Sequence, residues 1–333
     1  MTTFRSWRVH DQDGTFKGQI EDQSIADLPP GEVLIHVSHS SLNFKDALSA
    51  SGNKGVTRSF PHTPGIDAAG EVVSSDDSTW KAGDRVIVTG YDLGMNTAGG
   101  FGEYIRVPAG WCVRLPANWE GHTAMAYGTA GLTAGLCVDK LLRSGLTPQQ
   151  GPVLVTGASG GVGSVAVELL AKLGFEVVAM SGKADQESWL RDLGATQVVG
   201  RDALTPSRKP MEKPHYAGAV DTVGGEPLAT VLKQIRPEGA VAACGLAAGT
   251  DLPSSVFPFI IRGVTLAGVD SVEIPQIRKT EIWDKLATEW RCPKSEQSAK
   301  TITMEELEPA LSAFLKGQSV GRVVLAHQGA IQG

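Results

Sequence analysis

The sequence predicts an α/β protein of two domains, one mainly β and one with a doubly wound parallel sheet of six strands. Three observations lead to this fold class. The chain has 333 residues, which is more than one average domain holds. Short segments rich in β-branched residues fill the part up to residue 120, and from residue 121 apolar strands alternate with helices. We therefore place one domain at residues 1–120, completed by residues 293–333, and the other at residues 121–292.

The first domain is predicted from four short segments that alternate apolar and polar residues and are separated by turn residues. These segments are Glu32–Ser38, Gly70–Ser74, Asp84–Thr89 and Glu103–Pro108. A further apolar segment, Ser319–Ala326, has no neighbour among the strands of the second domain, so we assign it to the first. Before it, Met304–Leu315 is predicted as a helix, because Thr303 and Glu306 have the spacing of a capping box.

The second domain opens with a predicted helix over Thr123–Leu142, followed by six apolar strand candidates. These strands centre near Val153, Val177, Val198, Ala219, Val241 and Leu266. Helical stretches lie between the early strands, and such crossovers build a parallel sheet whose ligand lies at the carboxyl ends of the strands. A later helix is predicted to contain Ile282–Trp290.

A glycine cluster between the first strand of this sheet and the next helix predicts a dinucleotide-binding turn. Against the pattern G-x-G-x-x-G the first position is Ala158, with Gly157 just before it. The strand, turn, helix and second strand nevertheless follow in the order that the fingerprint requires. The alternative is a glycine-rich turn that binds no nucleotide. The glycines that we expect to admit the pyrophosphate and to pack the helix on the sheet are Gly160, Gly161 and Gly163.

The end of the second parallel strand favours NADPH over NADH. An acidic residue there would accept the ribose hydroxyls of NAD, but this chain has Ser181, Gly182 and Lys183 instead. Arg201, which follows the third strand, adds a guanidinium that can pair with a 2′-phosphate. The alternative is that Lys183 and Arg201 are ordinary solvated charges.

Composition excludes several classes of partner. A net charge of −6 gives no reason to expect nucleic acid or an anionic membrane as a partner. No apolar run reaches the roughly 18 residues of a membrane span, and residues 1–10 lack the apolar core of a signal peptide, so we expect a cytoplasmic protein. The four cysteines form no C-x-x-C pair and predict neither a zinc ribbon nor a disulfide framework.

Six motifs resemble one known family over nearly the whole chain. They are residues 41–49, 64–70, 128–134, 243–247, 258–263 and 267–271. They are similar to the zinc-independent branch of the medium-chain dehydrogenases/reductases that contains acrylyl-CoA reductases and quinone oxidoreductases. The resemblance implies a GroES-like catalytic domain, a Rossmann domain and NADPH-dependent reduction of acrylyl-CoA or a similar small enoyl-CoA. The alternatives are an NADPH:quinone oxidoreductase and a sensor or structural protein that binds NADPH without turnover.

The expected absence of zinc can be argued from the residues that match the metal ligands of the zinc-dependent relatives. Those places hold Asn43 and the triplet Gly65-Ile66-Asp67, and residues 91–100 replace the cysteine-rich lobe. Isoleucine cannot ligate zinc. Without a Lewis acid to stabilise an alkoxide, we expect hydride transfer to an activated C=C bond or to a quinone.

The resemblance also implies site residues. Asn43 is the candidate donor to the enolate oxygen of the substrate, while Asp46 and Asp67 are candidate catalytic residues for which we favour a structural role in holding the loop. Phe44 and Lys316 replace a tyrosine and an asparagine that are common in relatives. The predicted cofactor contacts are Phe44, Thr129, Ser159, Gly160, Gly161, Val162, Gly163, Ser181, Gly182, Lys183, Arg201, Leu246, Ile260, Ser271 and Lys316.

Two further expectations concern surfaces. Lys54, Arg58 and Arg262 could form a basic entrance for the phosphates of a CoA ester, although sparse surface cations are usually only solvated. The apolar strand Val264–Val269 would lie at an edge of the Rossmann sheet, and an exposed apolar edge favours pairing with a second copy. We therefore expect a homodimer.

Overall fold

The computed structural model describes residues 2–328; residues 1 and 329–333, which fall in the predicted first domain, lie outside the described residues. The chain forms two compact units. The first unit contains the residues up to Thr129, Ser271–Ala287 and the residues from Glu296 onward, and the second contains Ala130–Asp270 and Thr288–Ser295. The functional division into residues 1–120 with 293–333 and residues 121–292 stays a prediction.

The described residues form fifteen strands. They are β1 (Thr3–Gln12), β2 (Thr15–Ser24), β3 (Val33–Ser41), β4 (Asp67–Ser75), β5 (Arg85–Thr89), β6 (Tyr104–Val107), β7 (Cys112–Arg114), β8 (Val153–Val155), β9 (Val177–Met180), β10 (Gln197–Val199), β11 (Tyr216–Asp221), β12 (Ile235–Ala243), β13 (Thr265–Gly268), β14 (Lys300–Ile302) and β15 (Val323–Ala326).

Nine α-helices lie between these strands in the described part of the chain. They are α1 (Phe44–Ala50), α2 (Gly121–Arg143), α3 (Gly161–Lys172), α4 (Glu187–Asp192), α5 (Gly225–Gln234), α6 (Phe257–Arg262), α7 (Gln276–Ala287), α8 (Pro293–Gln297) and α9 (Leu307–Leu315). Of the residues searched, no helix is both long enough and apolar enough to cross a membrane.

The first unit is built on a seven-stranded sheet with the order β14-β15-β3-β4-β5-β7, in which β6 also pairs with β3. The four predicted strands are present as β3, β4, β5 and β6. The last strand, β15, pairs antiparallel with β3 through Val324 and Ser41, which confirms its assignment to this unit. One core cluster lies between these strands and includes Val33, Ile35 and Val88.

Four strands of the first unit were not predicted from the sequence. β1 and β2 form an antiparallel hairpin, and β7 and β14 are three-residue strands. The residues of β2 are polar or only half-buried, so the segment shows little of the alternation by which we recognised the other strands. The predicted capping box at Thr303 and Glu306 is present, but its first turn, Met304–Glu306, is a 3₁₀ helix that α9 then continues.

The second unit is a parallel sheet with the strand order β10-β9-β8-β11-β12-β13. All six predicted strands are present and every pairing is parallel, which confirms the doubly wound fold class. The chain winds outward from β8 in both directions, so the topological switch point lies at the carboxyl ends of β8 and β11. The sheet edge that was predicted for Val264–Val269 is β13.

Helix α2 departs from the prediction in one respect. It begins at Gly121 and ends at Arg143, close to the predicted Thr123–Leu142, but it is interrupted at Gly128, where φ is +52° and ψ is −156°. The helical periodicity of apolar residues continues across this point, so it gave no warning of the kink. Only a glycine adopts this backbone conformation without strain.

Candidate functional site

A buried carboxylate organises the candidate catalytic residues of the first unit. Asp67, the first residue of β4, is fully buried. Its Oδ2 atom accepts hydrogen bonds from Ser41 Oγ at 2.5 Å, Asn43 Nδ2 at 2.8 Å and the Thr129 amide at 2.8 Å. Its Oδ1 atom accepts from Thr129 Oγ1 at 2.5 Å. We call Ser41, Asn43, Asp67, Thr129 and Arg322 the Asp67 network.

Arg322 completes the Asp67 network and was not predicted. Its side chain is buried and lies just before β15. Nη2 donates to Ser41 Oγ at 2.8 Å, and Nε donates to the Ala126 carbonyl at 3.1 Å. Burial lowers the pKa of the guanidinium, while the negative charges of Asp67 and Asp46 oppose that shift. The only indication of Arg322 in the sequence was its position beside the otherwise apolar strand β15.

Asp46 joins two backbone segments of the same unit. It is fully buried and accepts hydrogen bonds from the backbone amides of Asn43 at 2.8 Å, Ile66 at 2.8 Å and Gly65 at 3.2 Å. Burial, followed by repulsion from Asp67, raises the pKa of Asp46 to about 7, although these backbone hydrogen bonds act in the opposite direction. The geometry is that of a residue that holds the loop, the role that we favoured from the sequence.

The amide of Asn43 faces the interior of the Asp67 network. Besides its bond to Asp67, Nδ2 lies 3.3 Å from the Ser41 carbonyl, and the residue is only 8% exposed. Both amide hydrogens therefore have acceptors within the protein. The predicted donation from Asn43 to a substrate oxygen would require the amide to leave Asp67.

The interruption of α2 at Gly128 is part of the same site. A Cβ atom at Gly128 would lie 2.6 Å from Asp67 Oδ2 and 2.7 Å from Arg322 Nη2. The kink thus lets the backbone pass directly over the Asp67 network. It also directs the Thr129 N–H at the carboxylate, which explains why the motif of residues 128–134 begins with Gly-Thr.

In the second unit, the glycine cluster forms a tight turn between β8 and α3. Gly157 has φ +60° and makes the turn, and Gly160 is the N-cap of α3. A Cβ atom at Gly163 would lie 2.7 Å from the Ala158 Cα, so this glycine permits close packing of the helix on the turn. The first N–H groups of an α-helix have no partner within the helix, and in this fold class the ligand lies at the end of the sheet where such a helix begins.

The residues predicted to select NADPH lie together at the ends of β9 and β10. Ser181 Oγ donates to Ser159 Oγ at 2.9 Å and accepts from the Lys183 amide at 3.1 Å. Arg201 covers Gly182, because a Cβ atom at Gly182 would lie 2.8 Å from the Arg201 Cζ. Partial burial lowers the pKa of Lys183, and repulsion by Arg201 adds to this. We call Ser181, Gly182, Lys183 and Arg201 the Ser181 corner.

The remaining predicted cofactor residues differ in their exposure to solvent. Leu246 and Ile260, for which a core position was the alternative, are 63% and 75% exposed and are therefore not core residues. Phe44, the first residue of α1, is 47% exposed, while Ser271 is buried. Lys316 is the C-cap of α9 and exposed. Gly161 begins α3 and is followed by Val162.

Two other predicted features can be placed. Arg262 is not a free entrance cation, since its Nη1 donates to the carbonyls of Lys233 at 2.8 Å and Ile235 at 2.9 Å. Lys54 Nζ lies 4.7 Å from the centre of the Phe60 ring.

Ile66 is buried at the position where zinc-dependent relatives have a metal ligand. Among the residues searched, no group of three or more histidine, cysteine, aspartate and glutamate side chains could hold a metal ion.

Nearly the whole chain is similar to known oxidoreductases. The family model described as alcohol dehydrogenase GroES-like domain matches residues 29–117, and that described as zinc-binding dehydrogenase matches residues 161–288. The chain is 45% identical over 317 residues to the acrylyl-CoA reductase AcuI of Ruegeria pomeroyi, covering 95% of this chain and 96% of that protein. It is 40% identical over 326 residues to YhfP of Bacillus subtilis, named as a quinone oxidoreductase, covering 97% and 99%.

Solved structures give the same result. The yhdH oxidoreductase from Salmonella enterica in complex with NADP superimposes with a TM-score of 0.95 at 44% identity, covering 97% of this chain and 100% of that one. Bacillus subtilis yhfP with NAD bound gives 0.94 at 40% identity, covering 98% and 100%. The chain therefore belongs to the medium-chain dehydrogenase/reductase family. Within it, the chain belongs to the group that contains these acrylyl-CoA reductases and quinone oxidoreductases.

Proposed function

We propose that this protein is an NADPH-dependent oxidoreductase that reduces the activated C=C bond of acrylyl-CoA or a similar small enoyl-CoA. The observation that carries the proposal is the 45% identity to an acrylyl-CoA reductase over 95% of the chain. In this proposal, residues 1–120 with 293–333 supply the catalytic domain and residues 121–292 bind NADPH. The second candidate, an NADPH:quinone oxidoreductase, is favoured by the 40% identity to YhfP.

The second unit fits the proposed cofactor. The first turn of α3, with Gly157 and Gly163 allowing close approach, provides N–H groups for a pyrophosphate. The Ser181 corner provides a hydroxyl and two cations for a 2′-phosphate, and no carboxylate stands at the end of β9. Bound NADPH would supply the hydride. We propose that Phe44, Leu246, Ile260, Ser271 and Lys316 contact the rest of the cofactor.

The residues of the first unit hold the backbone rather than exchange protons in this proposal. Asp46 is fully buried and both of its oxygens accept backbone N–H groups, so we assign the proton for the substrate α-carbon to an ordered water. Asn43 and Asp67 fix the loop before α1 and the Thr129 turn. An enolate oxygen would then be stabilised by a backbone N–H, a ribose hydroxyl or an Asn43 amide released from Asp67.

The proposed reaction uses no zinc. The residue that would ligate the metal in zinc-dependent relatives is Ile66, whose side chain is buried and apolar. Metal analysis of the purified protein is expected to show zinc far below one equivalent. Stoichiometric zinc that is needed for turnover would contradict this part of the proposal.

One kinetic comparison tests the function. The oxidation of NADPH is followed with acrylyl-CoA and with a small benzoquinone, and each is repeated with NADH, because the Bacillus relative was solved with NAD. We expect the highest kcat/KM with acrylyl-CoA and NADPH. Turnover of the quinone alone would favour the second candidate. Tight NADPH binding without turnover of any enone or quinone would favour a sensor or structural protein.

We also propose a homodimer. Strand β13 lies at the edge of the parallel sheet, and the neighbouring α6 exposes apolar side chains, with Phe257 at 45% and Ile261 at 62% exposure. Pairing of two such edges would cover both features. Light scattering after size exclusion is expected to give twice the mass of the chain, and a monomer at micromolar concentration would contradict the proposal.

A further inference from the structure

A second polar cluster of the first unit lies around Tyr91, which adopts a strained backbone conformation. Tyr91 has φ +52°, a region that bulky residues seldom occupy. Such strain persists only where surrounding contacts hold the residue in place. The ring of Tyr91 stacks on that of Trp111, with centroids 5.4 Å apart and an interplanar angle of 10°.

A buried lysine lies against the ring of Tyr91. Lys279, on α7, is 1% exposed, and its Nζ lies 3.5 Å from the centre of the Tyr91 ring. The same atom donates to the carbonyls of Thr89 at 2.6 Å and Val272 at 3.1 Å. A desolvated cation over an aromatic face is among the stronger contacts of its kind. An apolar side chain would fill this space without the cost of burying an amino group. Packing alone therefore does not explain why a lysine stands at this position.

Tyr91 and Lys279 both contact the segment of residues 271–274. The Tyr91 amide donates to the Val272 carbonyl at 3.2 Å. Gly90 lies so close to this segment that a Cβ atom on it would be 3.0 Å from the Val272 Cα and 3.2 Å from the Ser271 carbonyl oxygen. The Gly90 amide in turn donates to the Ile66 carbonyl at 3.1 Å, and the Ile66 amide is held by Asp46. A continuous set of contacts thus connects Ser271 to the Asp46 loop.

We propose that Lys279, Tyr91 and Trp111 act together as positioning residues that fix Ser271 relative to the Gly65–Ile66 loop and so set the affinity for the cofactor. We call these three residues the Lys279 stack. The inference rests on the proposed function only in taking NADPH as the ligand of Ser271. That residues 271–274 are held in place by the Lys279 stack follows from the contacts above.

Three substitutions, two disruptive and one conservative, separate the roles of Lys279 and Tyr91 in the Lys279 stack. Lys279→Met keeps a long unbranched side chain but removes the charge and the donors. Tyr91→Asn removes the ring but tolerates the positive φ. Tyr91→Phe keeps the ring and loses the hydroxyl, which donates a long hydrogen bond of 3.4 Å to the Ile274 carbonyl. Lys17→Met, at an exposed position of β2, is the control for the loss of a lysine.

Each variant is measured by hydrogen exchange of residues 271–276 in the free protein, by direct titration of NADPH and by kcat and KM. We expect Lys279→Met and Tyr91→Asn to reduce the protection of this segment and to raise the Kd for NADPH about tenfold, with kcat at saturating NADPH within about threefold of wild type. Tyr91→Phe and Lys17→Met are expected to bind NADPH within about twofold of wild type. Protection of residues 153–170 is expected to stay unchanged.

The outcomes distinguish this inference from the proposed function. Unchanged exchange of residues 271–276 in both Lys279→Met and Tyr91→Asn would overturn the inference even if the enzyme reduces acrylyl-CoA. Reduced protection with an unchanged Kd for NADPH would overturn the link between the Lys279 stack and the cofactor. If wild type binds no NADPH, the proposed function fails, and the exchange measurement still tests whether the stack holds the segment. If one of these two variants loses protection from hydrogen exchange throughout the chain, the other variant provides the test.

Discussion

The Asp67 network and the Ser181 corner contain similar polar residues but use them differently. In the Asp67 network, the side chains of Asp67 and Arg322 are buried and bond to other atoms of the protein. In the Ser181 corner, the backbone amide of Lys183 bonds to Ser181, while the Arg201 guanidinium lies against Gly182 at the surface. Buried polar groups with internal partners stabilise and position the backbone, whereas cations at or near the surface at a strand end can bind a ligand.

The comparison predicts that substitutions in the two regions have different effects. A substitution in the Asp67 network should lower the stability of the fold, because it leaves a buried charge or donor without its partner. A substitution in the Ser181 corner should change cofactor affinity and leave stability nearly unchanged. The following predictions test this difference, beginning with the largest effect.

Replacing Arg322 by leucine should have the largest effect on stability. It removes the positive charge that acts on the buried side chains of Asp46 and Asp67, and it removes the closer of the two donors to Ser41 Oγ. Leaving a buried charge without its compensating charge costs about 3–5 kcal/mol. The free energy of unfolding in urea should fall by this amount. Arg85→Leu is the control, because the Arg85 ion pair with Glu120 is largely exposed and is worth less than about 1 kcal/mol. Equal losses for both variants would contradict the comparison.

The kink at Gly128 provides a second test. Gly128→Ala introduces a Cβ atom 2.6 Å from Asp67 Oδ2 and also strains a backbone with φ +52°. Gly145→Ala is the control for a positive φ, because its φ is +84° and no atom lies within 4 Å of the new Cβ. The control measures the cost of a positive φ alone, about 1 kcal/mol. We expect Gly128→Ala to lower the free energy of unfolding by about 2 kcal/mol more than the control. An equal loss in both would show that the Asp67 network tolerates displacement.

In the Ser181 corner, Lys183→Ala and Arg201→Ala should act on cofactor affinity. A charge-assisted hydrogen bond to phosphate is worth about 1.5–3 kcal/mol, so each variant should raise KM for NADPH at least tenfold. KM for NADH, which lacks the 2′-phosphate, should change less than about twofold. The free energy of unfolding should change by less than about 1 kcal/mol. Lys209→Ala, in the exposed loop before β11, is the control. Equal losses with NADPH and NADH would mean that the corner does not bind the 2′-phosphate.

The sequence predicted the second unit better than the first for physical reasons. The strands of a parallel sheet are buried on both faces, so β8, β9 and β11 are continuous apolar runs that can be recognised locally. The Ser181 corner is also local, since three of its residues are consecutive and the fourth follows the next strand. By contrast, β2 has mostly polar residues and forms a two-stranded sheet with β1.

The Asp67 network could be predicted only in part. Asn43, Asp46 and Asp67 belong to motifs that the resemblance singled out, and so do Ser41 and Thr129, but the hydrogen bonds that join these motifs could not be predicted from the sequence. Arg322 meets Ser41 across 281 positions of the sequence, and only the pairing of β15 with β3 brings them together. The kink at Gly128 is likewise selected by contacts with Asp67 and Arg322 rather than by the periodicity of α2.

The smallest expected effect is a dependence of stability on pH that arises from buried groups of the first unit. Burial lowers the pKa of His39 and of His327 from 6.5 to about 4, and raises the pKa of Asp46 from 3.8 to about 7. Between pH 4.5 and 6, His39 and His327 are therefore protonated in the unfolded chain and neutral in the folded chain, a difference of two protons. The folded chain binds one on Asp46 that the unfolded chain lacks.

The net difference from these three groups is one proton, so they should raise the free energy of unfolding by about 1.4 kcal/mol for each pH unit between 4.5 and 6. His327→Gln removes one histidine and should lower the measured slope by about 1.4 kcal/mol per unit, whereas Asp46→Asn should raise it by a similar amount. Urea unfolding at four pH values gives the slopes. Changes of the same sign in the two variants would contradict the assignment, because it requires the buried histidine and the buried carboxyl to shift stability in opposite directions.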